Sequence, residues 1–198
     1  MTSPATSSDR NDATAHPDGS AWLARLEREG ATLGDALALF DAMPAVAVSE
    51  IMGRWRGSEL PTGHPLDGWL LAVGWWGKEF SSPEHVHPLL FTNGKDHVFP
   101  ASARAFPFRP LMAFVMNNKL RPNRLVCSIV RAALPLFRTQ RPMARLCAVE
   151  TRGVPTATMV YDWLPIHDAF RRIDAETLLG MMEMRGMEQP FFFVLRRV

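Results

Sequence analysis

Cysteine is scarce in this chain, with only Cys127 and Cys147, and neither stands in a CxxC spacing. That excludes a disulfide framework and points to reduced thiols in a cytoplasmic protein. No stretch reaches the roughly 18 to 20 uninterrupted apolar residues that a membrane-spanning helix requires. The opening MTSPATSSDRNDATAHPDGS lacks a basic n-region and an apolar h-region, so residues 1–20 read as a disordered tail rather than a signal peptide. Neither charge dominates: 22 Lys and Arg against 20 Asp and Glu leave a net +2, which gives no global case for nucleic acid. Acidic residues are absent altogether from His97 to Val149, where nine Lys and Arg fall (Arg104, Arg109, Lys119, Arg121, Arg124, Arg131, Arg138, Arg141 and Arg145).

The chain does hold 47% hydrophobic residues, with six Trp and 11 Met. A chain of 198 residues buries roughly two thirds of its unfolded surface, enough for one core without disulfides or metal. Residues 21–198 are therefore expected to form a single domain.

Taken in order, Ala21 to Gly30 reads as a short helix stopped by glycine. Thr32 caps a second, whose Leu33, Ala36, Leu37 and Phe40 share a face. A strand runs through Trp55, Gly57 and Glu59, broken by Pro61 to Pro65; Leu66, Trp69, Leu70 and Val73 return at helical spacing, ending at Gly74 and Gly77. Asn93-Gly94-Lys95 between two apolar runs signals a hairpin. Leu125, Ile129 and Ala133, with Val126, Val130 and Leu134, repeat at i+4 and give an apolar face flanked by arginines. Later strands are expected at Ala144 to Thr151 and Pro155 to Tyr161, then a tight bend over Leu164 to Phe170. Arg171 to Asp174 pairs Thr177 to Arg185, and Phe191 to Arg197 closes the series. Short strands at this spacing argue for a mainly β fold, a small antiparallel barrel with a few short helices.

GRWRG, ELPTGHPLDG, GWWGKEF and VHPLLF resemble the GXWXG family. ATMVYDWLPIHDAFRRID and GMMEMRGMEQPFFFVLRR resemble the DUF4334 domain that follows GXWXG in two-part proteins. The resemblance places a GXWXG part at about 33–92, a basic connecting segment at about 100–142 and a DUF4334 part at about 143–198. It implies a calycin-like barrel, a relative of lipocalins and fatty-acid-binding proteins, with Trp55 at its base.

A small barrel is either filled by side chains or open to one ligand. The plain reading of each large apolar residue is core, but the Trp and Met excess as a set favours a cavity. The expected function is non-catalytic binding of a hydrophobic or amphipathic small molecule, lipid or fatty-acid-like. Trp55, Trp75, Trp76, Phe91, Met159, Tyr161, Trp163 and Met181 would line it, and Arg171 or Arg172 would meet a carboxylate or phosphate.

A second reading is a calycin-like cyclase or isomerase, with His64, Asp162 and His167 as its acid-base residues. Against it, turn-forming Asp is common, and Asp162, His167 and Asp168 would serve the Leu164-Pro165 bend equally well. A third is peripheral association of the basic segment with an anionic phospholipid membrane. His85 and His87, bracketed by Pro83 and Pro88, fall short of a full ligand set, so neither metal nor cofactor is expected. Nucleic acid is not an expected partner, because the aromatics lie outside the basic region, and no oligomeric state is implied.

Overall fold

The computed structural model describes residues 18–94, 97–102, 115 and 121–198. The expected tail falls almost wholly outside that range, as do Lys95, Arg104, Arg109 and Lys119. Two helices come first. In α1 (Gly19–Glu29) the Asp18 carboxylate accepts from the Ala21 N–H. In α2 (Leu33–Ala42) Thr32 and Asp35 form a capping box.

Among the described residues nine strands follow: β1 (Gly53–Glu59), β2 (Trp75–Ser82), β3 (His85–Thr92), β4 (Val98–Pro100), β5 (Ala144–Thr151), β6 (Val154–Tyr161), β7 (Ile166–Asp174), β8 (Thr177–Met184) and β9 (Phe191–Arg197). They make one antiparallel sheet in the order β2-β1-β9-β8-β7-β6-β5-β3-β4, and β2 also pairs with β3, so the sheet curls into a nearly closed barrel. The seam between β3 and β5 is thin. One residue pair, Val86 with Ala144, closes it, helped by Met143 N–H to Val86 O at 3.0 Å and Leu146 N–H to Pro83 O at 2.7 Å. Between β6 and β7 only residues 158–160 and 167–169 pair. The chain after α2 fills the rest of that gap, with Ala45 bridging Arg171 and Ala157 donating to Val46 O at 2.8 Å.

Alternation along the strands separates two cores. Phe191, Phe193 and Leu195 of β9 point into the barrel with Trp55, Trp75, Phe80 and Phe170, whereas Phe192 and Val194 point outward beneath Leu39 and Phe40 of α2. Each such side chain contributes about 1.5–3 kcal/mol on burial, so both faces of β9 hold the fold together.

The GRWRG stretch is explained by close approach. Trp55 is buried and its indole N–H donates to Ile51 O at 2.8 Å, while the Arg197 guanidinium lies 4.2 Å from the ring centroid. A Cβ on Gly57 would stand 2.3 Å from the Trp75 ring, and one on Gly77 only 1.9 Å from Trp55 O. Glycine at position 57 leaves room for the Trp75 ring, and glycine at position 77 lets β2 approach the backbone of β1 at Trp55.

Two sequence expectations are corrected. The bend expected over Leu164 to Phe170 is confined to 162–165: β7 begins at Ile166, because Ile166, Asp168 and Phe170 alternate into the barrel. The helix after Pro65 shrinks to α3 (Trp69–Ala72), because Asp67 binds the backbone of the preceding loop instead of opening a longer helix. In the basic segment, α4 (Arg124–Ala133) is capped by Asn123 and leads into a 3-10 turn at Leu134–Phe137. Among the described residues, no helix is long and apolar enough to cross a membrane.

Candidate functional site

Strand β2 carries Lys78 into the barrel and β7 carries Asp168. Their charged ends meet at 2.7 Å, with side-chain exposures of 3% and 0%. Lys78 Nζ also donates to Pro88 O at 3.3 Å and lies 4.8 Å from the Phe193 ring centroid, 5.6 Å from that of Trp75 and 5.8 Å from that of Tyr161. Burial pushes the Asp168 carboxyl above its usual range, with the Lys78 charge opposing. Burial, and then the Asp168 charge, raises the Tyr161 hydroxyl well above its ordinary value.

Two polar atoms in this apolar interior have no partner among the described residues, Asp168 Oδ1 and Trp75 Nε1. Both residues border a small cavity of about 20 Å³. That volume holds about one water.

A lid closes the chamber. The Glu59 carboxylate at the end of β1 accepts from the Gly68 and Leu71 N–H groups. Asp67 Oδ2 accepts from Thr62, Gly63 and His64 at 3.1, 2.9 and 2.8 Å. The loop so folded presents Leu66 and Leu70 to the cavity. Burial holds both carboxyls above their usual range, with the donated N–H groups opposing. His64 is buried within this loop; its Nδ1 accepts from the Leu66 N–H at 3.1 Å and its ring packs edge-on to Phe191. Burial drops its pKa to about 4. It stays neutral and pins the lid to β9.

Of the residues expected to line a pocket, Trp55, Trp75, Phe91, Met159 and Tyr161 share the inner core. The others lie elsewhere. Trp76 is outside the barrel, 5.9 Å and 5.4 Å from the Arg54 and Arg56 guanidinium groups. Met181 packs with Leu39 and Phe40 on the outer face, and Trp163 is 53% exposed. Arg171 is buried, 5.0 Å from the Phe40 ring centroid, and donates to Thr151 O at 3.2 Å. Arg172 pairs with Glu50 at 2.6 Å.

The three residues read as acid-base groups do not converge. His64 is in the lid, Asp162 is exposed, and His167 is outside the barrel, 2.9 Å from Glu183. That last pair borders an open cleft of about 620 Å³ between the outer sheet face and the turn 185–190, with Val160, Met184 and Met187 on its walls. The Lys78–Asp168 pair was missed as a pair, although its signal is in the sequence. Ile166-x-Asp168-x-Phe170 puts the carboxylate on an apolar strand face by alternation alone.

Fold and site thus define a small antiparallel β-barrel protein with a charged pair sealed in its interior. Residues 38–95 match the family described as GXWXG protein, and residues 142–197 match the domain of unknown function DUF4334. The chain is a GXWXG protein with a C-terminal DUF4334 region. Lys78 lies in the first region and Asp168 in the second, so the site exists only where the two meet. No curated protein matches. A solved structure, titled "Crystal structure of protein from Thermomonospora curvata", is similar at 26% identity and a TM-score of 0.67, covering 92% of this chain and 99% of that one.

Proposed function

We propose that the barrel binds a small, largely apolar molecule carrying a hydroxyl or carbonyl group, with that group seated beside Lys78 and Asp168. The observation that supports this reading is that two residues lining one void, Asp168 and Trp75, each carry an unpartnered buried polar atom. Asp168 Oδ1 accepts a hydroxyl proton and Trp75 Nε1–H donates to a carbonyl, and leaving either unmade costs about 1–3 kcal/mol. Because the pair is neutral as a whole, a neutral polar group suits it better than a second charge. Entry requires the 60–74 lid to swing away, since a void of about 20 Å³ admits no such molecule as it stands.

A second reading is favoured by volume. The outer cleft of about 620 Å³ already has the size of a small-molecule site.

Native mass spectrometry of the protein, purified gently and then exposed to a lipid extract, separates the two. Trp75→Phe removes the free N–H and should weaken capture by about tenfold if the chamber is the site. Val160→Arg obstructs the cleft and should weaken it if the cleft is. A protein that takes up nothing from the extract or from its host cell would sink both.

A further inference from the structure

The α4 helix buries one residue of its own, Cys127. Leu125 is 70% exposed, Val126 41% and Ile129 61%, and Leu136 just beyond the helix is 83% exposed. These are four of the eight large hydrophobic residues that the described surface exposes, gathered within twelve positions. Such clustering is the mark of a surface made to be covered.

The charges beside it are all of one sign. Arg54, Arg152, Arg172, Arg196 and Arg197 each hold a carboxylate. Among the described residues no carboxylate pairs with Arg121, Arg124, Arg131, Arg138 or Arg141 around α4, and the sequence supplies none between His97 and Val149. Arg138 instead meets His97 and the Phe99 ring, and Arg131 leans on Gly74.

We propose that α4 and the turn after it dock on an anionic membrane surface. Leu125, Ile129 and Leu136 enter the boundary between headgroups and acyl chains, and the arginines meet lipid phosphates and carboxylates. A bilayer satisfies both halves of the patch, whereas a polyanion such as nucleic acid leaves the leucines and isoleucine in water. The segment also lies against the lid, with Pro122, just before α4, near Gly68 and Arg131 of α4 near Gly74. Docking therefore brings the lid close to the lipid. The inference stands apart from the ligand reading, and its test reads no ligand.

The full chain is sedimented with vesicles of phosphatidylcholine alone or with about 30% phosphatidylserine. Binding is expected on the anionic vesicles and should fall at least about tenfold between about 0.1 M and 0.5 M salt. L125N/I129N and R124Q/R141Q, all at exposed positions, should each lower it about tenfold with the unfolding temperature unchanged. Val154→Asn, at an exposed residue outside the patch, should leave it intact. Equal binding to neutral vesicles, no binding at all, or loss with R124Q/R141Q but not with L125N/I129N would overturn the proposal. The last pattern belongs to an acidic macromolecule.

Discussion

Lys78 of β2 and Asp168 of β7 face each other across the barrel interior, 2.7 Å apart and out of contact with solvent. Taking two charges out of water costs several kcal/mol per ion, so such a pair is weak evidence for stability and stronger evidence for a specific use.

That cost can be read directly. Asp168→Asn leaves the Lys78 ammonium buried without its partner and should destabilise by about 3–5 kcal/mol. The double variant Lys78→Met/Asp168→Leu should be near neutral, within about 1–2 kcal/mol of the parent. Urea unfolding of parent, singles and double gives the coupling; singles that simply add up to the double would refute the pairing.

His64 sets an acid limb. Its folded pKa of about 4 lies below the ordinary 6.5, so between those values the unfolded chain binds a proton that the folded chain refuses. Stability should therefore rise with pH through this window and be lost as pH falls through it, by up to about 3 kcal/mol from this group. His64→Gln should flatten that limb in denaturant titrations from pH 7 down; an unchanged slope would mean that another group carries it.

Glycine positions divide sharply. A methyl at Gly77 meets the Trp55 carbonyl, a backbone atom that cannot step aside, so Gly77→Ala should cost more than about 4 kcal/mol or prevent folding. At Gly153, with φ of 78° and nothing within 4 Å of an added Cβ, Gly153→Ala should cost about 1–2 kcal/mol. Thermal melts of the two variants decide, and similar values would contradict the close approach of β1 and β2.

For ligand capture, the exposed Trp163 is expected to be dispensable. Trp163→Ala should change binding by no more than about twofold, as surface substitutions do. A larger loss, read by the same native mass spectra, would move the site out of the barrel.

The strands and the helix caps were legible because alternation and capping are local. β9 could be read from FFFVL, and α2 from Thr32. The lid was not, since its folding depends on Glu59 and Asp67 accepting backbone protons, a use no periodicity reveals. Leu164-Pro165 beside Asp168 points to a turn residue and masks the alternation of β7. Residue type assigns Trp76 and Met181 to a pocket, but it does not say which side of a curved sheet a side chain takes.

The thin seam between β3 and β5 has a consequence for how the molecule can be taken apart. The barrel is a hoop of two arcs, β1–β4 and β5–β9, riveted firmly at β1–β9 and lightly at Val86–Ala144, and α1 and α2 of the first arc clamp the outside of the second. Each arc alone ends in bare strand edges that invite aggregation. Fragments 18–102 and 121–198 should therefore be insoluble when expressed singly and soluble as a complex when expressed together, a hoop that can be cut once and still spring shut.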